Sequence, residues 1–533
     1  MCEFNKGFRY PWGGVLRPPV RGTAMSRLLN YTAVDDYTGY PQSSIGGVEL
    51  PNELFDYIFL LGTNGGRDTR FALRVSQVCR HWRNLALTSA RLWAHIQLQP
   101  SKLLVHPLDT DTVLGQCAAQ LARARGAPLS LRLALADTDL PAASDADADL
   151  VAKLTSLCLC LRVVTHALPR LRALELEIGW CASFVLGYGF ARQVLAKIEE
   201  GPTPWLEEVE IHLHGLRLDR VLDLPVSRWT CTPKATPRLK SVSVVGARLD
   251  VPLPHLDVDG NVDADDGMFE NVERLQYAPS RIQSDRLLCD LSLFPNLTTL
   301  AMSISEKYTV GVADAAVLCL ERLEVLSVCF VDGERSITTF SRLWELLSLP
   351  RLHTLELDSP RNFILEEPAA FVACLRNSAS TLSRLERFCI SRISMGHRYH
   401  RDLFRAMPNL IYLRLYPDVM ADDRLIIQGL SLPIDGSALP CPNLEEIVVG
   451  SEEVSLMGLA SLLLVRARRG GSSLCRVSTP RWKEFAQKYG EAKSALYPGI
   501  KVTSCDLDSE GYGESIRRYY TSSLLSLPSN SSG

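Results

Sequence analysis

From residue 168 onward, apolar positions recur in one short pattern. LPRLRALELEI (168–178) has the form P-x-L-x-x-L-x-L, with leucines at 171, 174 and 176. It returns as TPWLEEVEI, TPRLKSVSV, FPNLTTLAM, LERLEVLSV, LPRLHTLEL, LSRLERFCI, MPNLIYLRL and CPNLEEIVV, with a weaker copy, ENVERLQY, at 270–277. The first apolar anchors are Leu171, Leu206, Leu239, Val272, Leu297, Leu323, Leu352, Leu385, Leu410 and Leu444. Their spacing runs from 25 to 35 residues, with a mean of about 30. Stacked hairpins would repeat every ~8–12 residues, so the pattern points to a solenoid. In each copy the last two apolar residues alternate as a short strand, inward, while their neighbours face solvent. QSDRLLCDLSLF (283–294) and TTFSRLWELLSL (338–349) carry the three- and four-residue spacing of returning helices. One unit cannot bury both faces alone, so ten stacked units share a continuous core. The predicted class is an α/β solenoid.

A different pattern precedes it. Residues 48–96 read VELPNELFDYIFLLGTNGGRDTRFALRVSQVCRHWRNLALTSARLWAHI. Pro51 suits the first position of a helix, with Asn52 and Glu53 in its first turn. Leu54, Ile58 and Leu61 then share one face. GTNGGRDT stops that helix. A second helix is predicted with an apolar stripe of Phe71, Val75, Val78, Cys79 and Trp82, continued by Leu85 and Ala86. Leu92, Trp93 and Ile96 close a third segment. A unit of ~50 residues offers more apolar surface than it can bury, so it needs a partner.

The remaining segments are less regular. Residues 1–47 form an irregular, Gly/Pro/Tyr-rich leader. A helical stretch spans about 108–126, and LSLRLAL (129–135) alternates at strand period. DTDLPAASDADAD (137–149) is an acidic loop, and AQKYGEAKSAL with the Ser-rich end makes a C-terminal cap and loose tail. The expected division is 1–47 leader, 48–98 helical domain, 99–165 linking region, 166–450 repeat array and 451–533 cap and tail.

Composition excludes several classes. Fifty-seven basic against 60 acidic side chains leave a net charge of −3, without the basic excess of a dedicated nucleic-acid binder. Hydrophobic residues at 46% and charged ones at 22% suit a folded globular chain. No apolar run approaches the ~18 residues of a membrane span, and the N-terminus lacks an apolar signal segment. Fifteen cysteines without C-x-x-C pairs read as buried thiols in a reducing compartment, cytosol or nucleus.

Three short motifs, LPNELFDYIF, VSQVCRHWRNLAL and SARLWAHI, stand in the order and approximate spacing of an F-box, and the segment resembles that family. The long GTNGGRDTRFAL insertion and QLARARGAPLSLRLAL (120–135) resemble the F-box-like proteins of mushroom-forming fungi. The array resembles the irregular leucine-rich repeats associated with F-boxes, although Gly179 and Pro360 stand where regular repeats place an asparagine. The resemblance implies a three-helix F-box followed by an irregular repeat horseshoe. It further implies a non-catalytic substrate receptor of an SCF (Skp–cullin–F-box) ubiquitin ligase, without a cofactor of its own. The expected partners are a Skp-family adaptor, through it the cullin and RING subunits, and an unknown target. No nucleic-acid or membrane partner is expected. By the same resemblance, Leu50, Pro51, Leu54, Ile58, Val78, Trp82 and Trp93 are the adaptor-contact residues. The alternative is an adaptor-binding repeat scaffold with no role in ubiquitylation.

Strand positions flanking the inward leucines map the target-facing surface. It starts acidic (Glu175, Glu177, Glu208, Glu210). It becomes small and neutral (Ser241, Ser243, Thr299, Ser303, Ser327), then passes through Glu356 and Asp358 to Arg387, Tyr412, Arg414 and Tyr416. The last four form the candidate target-binding patch, because Tyr and Arg are enriched at binding hot spots. DVDGNVDADDGMFE (257–270) places Asp259, Asn261, Asp263 and Glu270 at calcium-loop spacing, yet Ala264 stands where the loop requires glycine. His212 with His214, and His397 with His400, lack further ligands at metal-site spacing. No phosphate-binding loop, nucleophile elbow or dinucleotide fingerprint occurs.

Overall fold

The computed structural model describes residues 44–45, 48–63, 70–99, 110–135, 158, 160–178, 184–201, 203–213, 236–246, 269–278, 284–304, 317–331, 334–360, 363–395, 397–416, 427, 429–431, 439–450, 456–468, 474–485, 487 and 501–503. The leader (except 44–45), the 137–149 loop, most of the 257–270 segment, His214 and the Ser-rich tail lie outside them. The chain divides into two compact units, one comprising Met1–Ala94 with Pro107–Ala127 and the other His95–His106 with Pro128–Gly533.

In the first unit, α1 (Asn52–Gly62), α2 (Phe71–Ser76) and α3 (Arg80–Thr88) lead into a 3-10 turn, Ala90–Trp93, and α4 (Thr110–Arg123) joins them. Pro51 sits one position earlier than expected, as the N-cap of α1, where its carbonyl accepts from Leu54 N (3.0 Å) and Phe55 N (3.3 Å). The predicted second helix is two helices. Cys79 is extended (φ −154°, ψ 173°) and its Sγ accepts from Trp82 N at 3.4 Å, so it caps α3 instead of continuing an apolar stripe. Arg83 Nε ties the break together by donating to Ser76 O at 2.9 Å. At Gly62, the last residue of α1, the Phe71 ring lies where a Cβ would stand, so the close approach of α2 requires glycine there.

The second unit is one 14-stranded sheet. Its strands are β1 (His95–Leu98), β2 (Leu129–Leu135), β3 (Leu171–Ile178), β4 (Glu208–Leu213), β5 (Ser241–Val245), β6 (Arg274–Ala278) and β7 (Thr299–Ile304). They continue with β8 (Val325–Phe330), β9 (Thr354–Asp358), β10 (Arg387–Ser391), β11 (Tyr412–Tyr416), β12 (Glu446–Val449), β13 (Arg476–Ser478) and β14 (Lys501–Thr503). Each strand pairs in parallel with the next of this series, from β1 to β14. A parallel neighbour demands a crossover each time. A large parallel sheet in strict chain order, with helices in its returns, is compatible with an α/β solenoid.

The ten anchors named from the sequence are all buried, and the ten strands that follow them are β3–β12. The sheet extends further on both sides. β1 and β2 lie in what the sequence reading assigned to the helical domain and linker, and β13 and β14 in its C-terminal cap. None of these four strands carries the complete P-x-L-x-x-L-x-L spacing, although Pro128 and Pro498 stand just ahead of β2 and β14. Register aligns a ladder across the whole sheet, from Ile96 and Leu131 through Leu174, Val209, Val242, Leu275, Leu300, Leu326, Leu355, Phe388, Leu413 and Ile447 to Val477 and Val502. Helices α5 (Phe184–Glu200), α6 (Ser284–Ser292), α7 (Glu334–Glu345), α8 (Pro368–Asn377), α9 (His397–Arg405) and α10 (Leu456–Arg468) supply the second layer. Phe340 on α7 shows the packing: its ring lies 5.4 Å from Phe330 of β8 and 6.2 Å from Phe371 of α8. The 338–349 stretch is helical only to Glu345; Leu347–Ser348 then pairs with Leu318–Cys319 as a short parallel bridge.

The turns are stitched from unit to unit. The residue just before four anchors is asparagine, and its amide donates to a carbonyl of the preceding turn. These bonds run from Asn271 to Pro237 (2.8 Å), Asn296 to Glu270 (2.8 Å), Asn409 to Ser383 (2.7 Å) and Asn443 to Pro408 (3.3 Å). The side-chain ladder therefore precedes the strand.

Candidate functional site

The first unit builds its core from the residues between those expected to lead. Phe55 and Phe59 of α1 are buried, and their rings lie 5.8 and 5.2 Å from Trp82 of α3. Ala72, Val75 and Ala86 fill the space beside them. The opposite face of α1 is thereby turned outward, leaving Leu54 and Ile58 47% exposed, Tyr57 61% and Leu61 62%. Leu73 and Val78 are exposed as well. Of the large exposed apolar side chains among the described residues, six fall between Leu54 and Val78. Such a concentration marks an interaction surface.

The predicted contact residues separate accordingly. Pro51, Leu54, Ile58 and Val78 are exposed, whereas Leu50 and Trp82 are half-buried. Trp93 is 3% exposed, donates from Nε1 to Ala86 O at 2.7 Å and lies under the Arg123 guanidinium at 4.5 Å. It is placed in the interior, as a pillar of the unit instead of a surface anchor. Tyr57 and Leu73 were missed; only the break after Ser76 and the burial of Phe55 and Phe59 reveal them.

On the sheet face away from the ladder, the ends differ from the middle. At the acidic start, Arg132 of β2 reaches Glu175 (3.1 Å) and Glu177 (2.8 Å), and Arg274 lies 3.7 Å from Glu208. Arg132 escaped the sequence map because β2 lacks the complete repeat spacing. His212 Nε2 lies 3.4 Å from Ser243 Oγ and 3.8 Å from Glu210. Both neighbours approach the same nitrogen, so the trio lacks the two-sided geometry of a nucleophile–base–carboxylate relay. The middle was expected to face solvent. Instead Ser243, Ser303 and Ser327 are buried, and Val245, Ala278, Ala301 and Cys329 form a small apolar cluster on β5–β8. Small side chains permit such closure.

Beyond the middle, large side chains return. Register sets Arg387 beside Tyr412 and Cys389 beside Arg414. The Arg387 guanidinium stacks 4.2 Å from the Tyr412 ring centroid, and Arg414 lies 4.6 Å from that of Tyr416 and donates from Nη2 to its hydroxyl. Gly450 lies beneath the Tyr416 ring, which occupies the space a Cβ would need. Burial pushes the Tyr412 phenol up to about 12 and raises the Cys389 thiol as well, so both stay neutral at physiological pH. The four residues named from the sequence thus meet in one patch. At its borders Arg392 lies 3.8 Å from Asp358, and Arg476 3.3 Å from Glu446.

Other side chains have structural explanations. His400 is buried beside Phe404, with ring centroids 6.1 Å apart. Among the described cysteines, Cys79, Cys158, Cys289, Cys319 and Cys475 are exposed instead of buried as expected. Among the described residues no cluster of three metal-ligating side chains occurs, and no helix is long and apolar enough to cross a membrane.

Comparison with known families joins the first unit to a class. Residues 48–99 match the F-box-like family, so the chain carries an F-box-like domain, and F-box domains generally bind Skp adaptors within SCF-type ubiquitin ligases. No curated protein matches the chain.

Proposed function

We propose that the chain is a non-catalytic substrate receptor of an SCF-type ligase. The F-box-like domain docks on a Skp-family adaptor, and through it on cullin and RING subunits, while the sheet face presents a target for ubiquitylation. The observation carrying this reading is the apolar surface of Leu54, Tyr57, Ile58, Leu61, Leu73 and Val78, exposed within the segment that matches the F-box-like family. Leu50 and Pro51, at the entry to α1, belong to the same docking edge. The sheet unit is assigned to the irregular leucine-rich repeats, as in the F-box-like proteins of mushroom-forming fungi. Its function is exercised in the cytosol or nucleus, where the ligase operates. Target recognition is assigned to Arg387, Tyr412, Arg414 and Tyr416.

Replacing Leu50 and Pro51 together by Ala is expected to abolish co-purification of the Skp adaptor while the sheet unit stays folded. Undiminished co-purification would sink the assignment of this edge. Isolation of cullin together with a protein that accumulates under proteasome block separates the receptor from a scaffold without a ubiquitylation role.

A further inference from the structure

The first unit presents a one-signed charge beside its apolar surface. From Thr69 to Leu108 the chain carries no aspartate or glutamate, yet it holds Arg70, Arg74, Arg80, Arg83, Arg91 and Lys102. The whole chain is nearly neutral at −3, so this run is a local departure. The fold places that charge outward: all five arginines are exposed. Arg70, in helical conformation at the N-cap of α2, shares one exposed face with Leu73, Arg74 and Gln77, at i, i+3, i+4 and i+7. Leu73 is therefore an apolar knob between two arginines. Val78 protrudes at the break before α3, and Arg80 opens that helix two residues later. Arg83 gives its Nε to Ser76 O and keeps its charge. α1 differs, because its outward residues Leu54, Tyr57, Ile58 and Leu61 carry no charge and its ionisable side chains are Glu53 and Asp56.

Apolar contact acts only when surfaces touch, whereas charge acts across a screening length of ~10 Å at 0.1 M salt. Arginines grouped on α2, α3 and the turn after them, without a carboxylate on those elements, repel one another until a partner supplies the opposite sign. A neutral apolar partner would leave that repulsion in place and desolvate the guanidiniums at its rim. The complementary occupant is a protein whose apolar hollows for Leu73 and Val78 are rimmed by aspartate and glutamate. Resting on the docking reading above, we propose that the arginines of α2 and α3 steer an acidic face of the Skp-family adaptor onto the first unit. They set how fast the partners meet; the apolar residues set how long they stay.

The test is biolayer interferometry of purified Skp-family adaptor on the immobilised full chain, at 0.1 M and 1 M NaCl. The screening length falls from ~10 Å to ~3 Å between these salts. The association rate constant is expected to drop at least about tenfold, with a much smaller change in dissociation. The Arg74→Gln/Arg80→Gln/Arg91→Gln variant is expected to associate about fivefold more slowly at 0.1 M and to lose most of the salt dependence, with an unchanged melting curve. Lysine at the same three positions keeps the charges and is expected to keep the wild-type rates. Leu54→Ala/Ile58→Ala acts on dissociation instead. An association rate equal at both salts overturns the proposal and leaves the docking reading standing. A folded glutamine variant that associates at the wild-type rate does the same, as does a lysine variant as slow as the glutamine one. If the glutamine variant melts early, the wild-type salt series and the lysine variant decide. No adaptor binding at either salt overturns the docking reading, and the proposal with it.

Discussion

Truncating Leu54 and Ile58 together to Ala separates the two faces of α1. Full burial of a leucine or isoleucine side chain is worth about 1.5–3 kcal/mol. Each of these residues is 47% exposed, so roughly half of that value, ~1 kcal/mol per residue, is still available to a partner. The double variant is therefore expected to lose about 2 kcal/mol of adaptor binding, close to a 30-fold rise in Kd. Phe59→Ala provides the contrast. Phe59 is 1% exposed and packs 5.2 Å from Trp82, so its loss costs the unit about 3–5 kcal/mol of stability. Biolayer interferometry of purified Skp adaptor on the immobilised full chain reads the first effect, and thermal unfolding reads the second. An unchanged Kd in a double variant that melts normally would falsify the outward-face argument. A double variant as unstable as Phe59→Ala would show that the faces of α1 had been assigned the wrong way round.

Two further outcomes follow from buried polar groups. Trp93→Phe removes the donor to Ala86 O and is expected to cost about 1–3 kcal/mol in denaturant unfolding of the first unit, with little change in adaptor affinity beyond that of the folded fraction. A Kd shift without a stability loss would return Trp93 to the surface. Stability is also expected to fall at alkaline pH. Burial raises the Cys117 and Cys374 thiols to about 11 and that of Cys441 to about 12. Between the unfolded value near 9 and these folded values, the unfolded chain releases protons that the folded chain retains, so stability declines as pH rises. Urea midpoints under reducing conditions are expected to drop progressively from pH 9 to pH 11; a flat profile contradicts the burial of these thiols.

The sheet was legible because its signal repeats. Each anchor, nine leucines and Val272, is followed by two apolar positions at strand period, and ten copies in register leave little room for another period. The outer strands were not legible, since Ile96–Leu98, Val477 and Val502 are single alternations without the complete repeat spacing, paired to a neighbour already in place. In the first unit the difficulty was of another kind. Leu54, Ile58 and Leu61 and the pair Phe55 and Phe59 are both apolar at helical spacing, so periodicity alone cannot say which faces inward. Ring packing decides it, because Phe55 and Phe59 both reach Trp82. The break before α3 was hidden for a related reason: cysteine is a weak acceptor and seldom reads as a cap, yet Cys79 Sγ accepts the Trp82 amide.

The same architecture limits where recognition can vary. Inward positions of every strand serve the shared ladder, where removing a large apolar side chain costs ~2–5 kcal/mol, so they are committed to stability. Only the alternate row is free to change, and much of it is already engaged. Toward the N-terminal end, Arg132 holds Glu175 and Glu177, and Arg274 lies beside Glu208, so charges there are largely met within the sheet. On β5–β8, buried serines and the Val245–Cys329 cluster leave little side chain exposed. On β10 and β11 the row broadens into Arg387, Tyr412, Arg414 and Tyr416, large side chains oriented by one another. Gly450, by omitting a side chain, gives Tyr416 the room to lie flat. Under the proposed receptor function, specificity in a repetitive frame would depend on a local departure from the repeat, where small residues give way to stacked arginines and tyrosines and a neighbouring strand yields space for them.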